Sequence, residues 1–172
     1  IDLNEISLDD KWNGIRGRTP IQAAAEQGDI ALFERLLTLG ADINAPPSTN
    51  NRGATALQVA SINGYFGLVS RILDLHADPN APGAEINGRT ALEGAAEHGR
   101  LDVVQLLLNS GVQTCGEGRR QYVRAIKFAR TEGHHTVVKL LKSHRPWTEA
   151  DQEALEDKAL LFSNQTPEGI AK

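Results

Sequence analysis

The stretch Thr19-Pro20-Ile21-Gln22-Ala23-Ala24-Ala25, closed by Gly28, returns as Thr55-Ala56-Leu57-Gln58-Val59-Ala60-Ser61 with Gly64. It returns again as Thr90-Ala91-Leu92-Glu93-Gly94-Ala95-Ala96 with Gly99. A degraded copy, Arg124-Ala125-Ile126-Lys127-Phe128-Ala129-Arg130, leads to Gly133. Successive glycines are 36, 35 and 34 residues apart. A fixed period of this length signals stacked supersecondary units, which bury their apolar faces on one another and present an extended surface.

Within a unit the residues read as two short helices. Thr19 is placed to cap the first, its hydroxyl accepting from the open N–H groups of the first turn. Pro20 follows where its missing N–H costs nothing. Ile21, Ala24 and Ala25 recur at helical spacing, and small alanines let a neighbouring helix approach closely. Gly28 ends this helix. A second helix is predicted over 30–39, with Leu32, Phe33, Leu36 and Leu37 as its apolar stripe and Gly40 as its stop. The segment Ala41-Asp42-Ile43-Asn44-Ala45-Pro46-Pro47 is turn-rich, and its prolines forbid a helix. The second and third copies follow the same plan.

These residues resemble the ankyrin repeat. The resemblance rests on the Thr-Pro-x-x-x-Ala-Ala-like openings, on Gly28, Gly64, Gly99 and Gly133, on the pairs Leu36-Leu37, Leu106-Leu107 and Leu140-Leu141, and on Gly40-Ala41-Asp42-Ile43-Asn44. It implies an all-α solenoid of about four helix-turn-helix units with extended hairpin fingers and a C-terminal capping helix. The expected divisions are 1–13 as an N-terminal cap or the end of a preceding repeat, then repeats at 14–49, 50–84, 85–118 and a degenerate 119–146. Residues 147–172 complete the chain as a helix and tail. The fourth unit carries Arg124 in place of the capping Thr, which reads as a terminal unit facing water. Thr148 begins a helix predicted over 148–162, with Trp147 as a plug on the last unit and Trp12 placed over the first helix pair. The phrasing Asn44-Ala45-Pro46-Pro47 and Gly88-Arg89-Thr90-Ala91-Leu92 resembles the ankyrin arrays of large filamentous-fungal proteins, including NACHT-type receptors.

Composition narrows the function. The 172 residues carry a net charge of −4, so no global basic field draws the chain to nucleic acid or an anionic membrane. No apolar run approaches the ~18 residues of a membrane span. A single cysteine, Cys115, excludes an intramolecular disulfide and fits a reducing, cytoplasmic compartment. A chain starting at Ile and lacking Met reads as a piece of a longer protein.

Chemistry is sparse. His134-His135 and Cys115 lack metal-ligand spacing, and no nucleophile elbow or phosphate loop is present. The reading is therefore non-catalytic, with no cofactor and no metal. The ankyrin resemblance implies that a partner protein is bound, by a monomer, through the concave face of inner helices and fingers. The positions on that surface are Arg16, Arg18, Gln22, Glu26, Arg52, Gln58, Ile62, Asn63, Tyr65, Asn87, Arg89, Glu93, Glu97, His98, Arg120 and Lys127. Arg16, Arg18, Arg52, Arg89, Arg119 and Arg120 would form a basic rail suited to an acidic or mixed-polar protein surface. Ile62 and Tyr65 would give an apolar patch at its middle. The alternative is a stand-alone inhibitor that blocks a target enzyme with its fingers. Nucleic-acid binding through the arginine rail is a further reading, and it would show as a steep salt dependence.

Overall fold

The computed structural model describes residues 4, 17–48 and 53–161, and every structural statement below concerns these residues. Nine α-helices and no strand are present among them: α1 (Pro20–Gln27), α2 (Ile30–Thr38), α3 (Ala56–Asn63), α4 (Phe66–Asp74), α5 (Ala91–Glu97), α6 (Leu101–Asn109), α7 (Arg119–Thr131), α8 (His135–His144) and α9 (Glu149–Glu156). The helices α1, α3, α5 and α7 pack side by side as an inner row, and each of these four is backed by the even helix that follows it. The linkers contain turns but no ladder, so the fingers are not strand hairpins among the described residues.

The inner helices start as the sequence dictates. Thr19, Thr55 and Thr90 each adopt extended backbone and accept from the amide of the residue three positions on. Gln22, Gln58 and Glu93 return the bond to the Thr amide, completing a capping box in each unit. Ile21, Ala24, Ala25, Leu57, Ala60, Leu92, Ala95 and Ala96 are buried, and from the outer row Phe33, Ile72 and Leu107 close the same core. Leu107 is fully buried, whereas Leu106 packs at the edge of the core.

Three glycines do more than end a helix. Gly28, Gly64 and Gly99 sit at φ +70°, +76° and +68°, where a Cβ is strained. Each is also covered by the next unit. Tyr65 Cζ lies 2.9 Å from where a Cβ on Gly28 would be, Arg100 Cδ 2.6 Å from that of Gly64, and His134 Nδ1 2.6 Å from that of Gly99. Repeat-to-repeat packing therefore needs glycine there on two counts.

The fourth unit differs from the sequence expectation. Arg124 does not face water at a helix start. It lies inside α7, which begins five residues upstream because no Thr-Pro stop interrupts Arg119-Arg120-Gln121-Tyr122-Val123. Its side chain is buried and forms a 2.9 Å ion pair with Glu93. The expected C-terminal capping helix is present as α9, which packs on α7. Arg145 secures this cap: Nη1 and Nη2 reach the two oxygens of Asp151 at 2.6 and 2.9 Å, and Nη2 also donates to Thr114 O at 2.6 Å. Trp147 lies tilted against Tyr122 with ring centroids 6.3 Å apart. The C-terminal helix is shorter than predicted, ending at Glu156 where Asp157 turns extended. Trp12 and the N-terminal segment 1–13 lie outside the described residues.

Candidate functional site

Asparagines join successive linkers. Asn44 Oδ1 accepts from the Asp78 amide at 3.1 Å, and Asn80 Oδ1 accepts from the Gln113 amide at 2.8 Å. The next position in the series is Cys115, which is exposed, and there Arg145 binds Thr114 instead. The linkers are thus held in a fixed row beside the inner helices.

Gln22 and Gln58 are part of that framework. Both are buried, and each donates from Nε2 to two carbonyls of the following linker: Gln22 to Ala45 O and Pro46 O at 2.9 and 3.0 Å, Gln58 to Ala81 O and Pro82 O at 2.9 Å each. Lys127, at the equivalent position of the fourth unit, donates to Leu155 O at 3.4 Å. Glu93 cannot donate, and its carboxylate turns to Arg124 instead. Burial pushes the Glu93 carboxyl upward against the pull of that guanidinium. Gln22, Gln58 and Glu93 were expected on the partner-binding surface, and the structure places them inside. Gln22 and Gln58 spend their amides on the capping box and the linker, whereas Glu93, though buried, still lines the cleft that holds Arg120. The Thr-x-x-Gln spacing was the signal for this role.

Tyr65 is exposed, and its ring also covers Gly28 at the seam between the first two units. Arg120 lines a separate cleft of about 460 Å³ between the second and third linkers, with Glu85, Glu93, Glu117 and Gln121. Arg16 and Arg52 lie outside the described residues.

The remaining predicted residues come together. Arg18, Glu26, Ile62, Asn63, Asn87, Arg89, Glu97 and His98, from three successive units, line one cleft of about 420 Å³. Gly53, Ala54, Val59 and Gly88, small or apolar residues with no charge to mark them in the sequence, complete its wall. Of the arginines expected to form a basic rail, Arg18, Arg89 and Arg119 are each ion-paired within the chain. Arg18 pairs with Glu26 at 3.6 Å, and Arg119 pairs with Asp151 at 3.2 Å. Arg89 grips Glu97 with two bonds of 2.7 and 3.1 Å while its guanidinium carbon lies 4.1 Å from the Phe128 ring centre. These cations are neutralised by carboxylates of the same chain, at a spacing of eight residues in the two cleft pairs, which the charge count alone did not reveal.

The cleft is fixed from both sides. Asn63 Nδ2 donates to Glu26 O at 3.2 Å and Arg100 Nε donates to Ile62 O at 3.1 Å, tying the end of α3 to the units before and after it. Its surface mixes hydrogen-bonding groups with the apolar Ala54, Val59 and Ile62. Among the described residues no helix is long and apolar enough to cross a membrane.

Comparison with known proteins agrees with the geometry. No curated protein matches the chain. A family profile described as ankyrin repeats (3 copies) matches residues 3–83 and 45–117, covering the first three units and well over half of the sequence. With the capped helix pairs, the glycine-seamed stacking and the period near 35 residues, this places the chain in the ankyrin-repeat family.

Proposed function

We propose that the chain is a non-catalytic module that binds a partner protein through the cleft between its linkers and inner helices, as one part of a larger intracellular protein. Ankyrin repeats are generally protein–protein interaction modules. The observation that carries the assignment to this face is the convergence of residues from three units on one pre-positioned cleft. Its arginines are already paired, which supports a partner of mixed polarity over a strongly acidic one. In such an array the binding surface is distributed over units, so affinity comes from several modest contacts rather than from one pocket.

The test is a pull-down comparing the wild-type chain with Glu26→Lys/His98→Glu on the cleft and with Lys139→Glu on the outer helix α8. A protein retained by the wild type and by the outer variant, and lost by the cleft variant, is the expected result. Retention by all three removes the cleft from the interface.

A further inference from the structure

The cleft has an internal repeat of its own. In the first unit Arg18 pairs with Glu26, and in the third Arg89 pairs with Glu97. The same two positions in the second unit hold Ala54 and Ile62. The middle of the cleft is therefore a notch where a third ion pair is missing, floored by small and aliphatic side chains and walled by an ion pair on each side. The floor is built into the fold. Ala54 and Val59 are almost fully buried, and Ile62 leans on Gly94, where a Cβ would collide with the Ile62 side chain. Gly94 stands where the first two units have Ala23 and Val59, so the third unit yields space that Ile62 occupies.

We infer that this notch takes a single uncharged aliphatic side chain from an extended peptide segment of the partner. The inference rests on the cleft being the binding face. Charge complementarity decides the chemistry. Among the described residues, a carboxylate entering the notch would have to draw Arg18 or Arg89 from its own glutamate, and a cation would have to draw away Glu26 or Glu97. An apolar side chain disturbs neither pair and lies against Ile62, above the buried Ala54 and Val59. Asn87 and His98, both exposed, form the rim along which the peptide backbone would run. A cleft of about 420 Å³ has room for one anchored side chain and its neighbours.

A random peptide library displayed on phage, panned on the wild-type chain, provides the probe. Selected peptides are then titrated against the wild type, against Ala54→Arg/Ile62→Glu, which completes the missing ion pair and fills the notch, and against Glu26→Lys/His98→Glu. Ile62→Gln serves as a milder second notch variant, and melting curves check that each variant folds. The expected peptides share one aliphatic position. Alanine there weakens binding about tenfold or more, and Ala54→Arg/Ile62→Glu abolishes it. Charged peptides that ignore both notch variants but are lost on Glu26→Lys/His98→Glu would overturn the notch and leave the binding face standing. Peptides indifferent to every variant would overturn both, and a library that yields no binder overturns the notch as well.

Discussion

Glu93 Oε1 lies 2.9 Å from Arg124 Nε, and both side chains are withdrawn from water. The pair joins the third unit to the fourth and replaces two devices at once: the Gln that would reach the next linker and the Thr that would cap the next helix. Neither substitution is tolerable alone. A buried Glu without a cation carries an uncompensated charge, and so does a buried Arg without a carboxylate.

Arg124→Met is expected to destabilise the fold by about 3–5 kcal/mol, the usual cost of stranding one member of a buried pair. Glu93→Gln/Arg124→Met should lose much less, because it leaves no charge behind. Burial already pushes the Glu93 carboxyl up, and removing Arg124 raises it further. A group whose folded value lies above its unfolded one gives stability below the unfolded value and loses it as pH rises. The defect of Arg124→Met should therefore be smallest under acid conditions and grow through the carboxylate range. Urea titrations of the four members of this cycle at several pH values test both points.

Gln58→Leu keeps the volume of the buried side chain but removes its bonds to the Thr55 amide and to the Ala81 and Pro82 carbonyls. Orphaned buried groups cost about 1–3 kcal/mol. The expected readout is a loss of stability of that size together with faster amide exchange in residues 81–90. A purely surface role for Gln58 would leave the melting curve unmoved.

The repeat, its caps and its helix order were all legible in the sequence, because each is a local pattern: Thr three residues before Gln, alanines at helical spacing, Gly where the backbone must turn left-handed. What was not legible depends on contacts across units. Gln22, Gln58 and Glu93 sit at positions that point toward the linkers, and only the linker's path shows that they are covered. The arginines looked like a rail because a charge count assigns no partners, whereas Arg18 and Arg89 find Glu26 and Glu97 across the same helix. Arg124 looked terminal because the missing Thr removed a start signal, and nothing local indicated that α7 would begin earlier.

Asp151 is buried, and Arg145 holds its carboxyl well below the usual carboxylate range by direct hydrogen bonding, with the Thr148 backbone and hydroxyl adding to the effect. A depressed folded value means that the stability it gives is present above the unfolded value and is lost as pH falls toward the folded one. The wild type should thus show an acid limb in its melting temperature below about pH 4. Asp151→Asn should flatten that limb and cost about 3 kcal/mol near neutrality by stranding Arg145. Thermal melts from neutral to acid pH, followed at Trp147 beside the cap, decide it.

Leu106 and Leu107 are neighbours in α6 but not equivalents. Leu107→Ala empties a fully buried site and is expected to cost about 2–5 kcal/mol. Leu106→Ala, at the margin of the core, should cost distinctly less. Equal losses from chemical denaturation of the two variants would contradict the facing of this helix.

Tyr65 and Gly28 test how the units are spaced. Gly28→Ala meets two penalties: a left-handed backbone at φ +70° that costs an L-residue about 1–2 kcal/mol, and a Tyr65 ring 2.9 Å from the new Cβ. Tyr65→Ala removes the second and keeps the first. The two changes should therefore be non-additive, Gly28→Ala being milder when Tyr65 is already absent, with the backbone penalty surviving in the double variant. Tyr65→Ala alone should lower stability through lost packing between the first two units. If it instead leaves the melt unchanged and impairs peptide binding, the ring belongs to the interface and not to the seam. Urea denaturation of the cycle, paired with titration of a selected peptide, separates these outcomes because stability and affinity are read from the same four proteins.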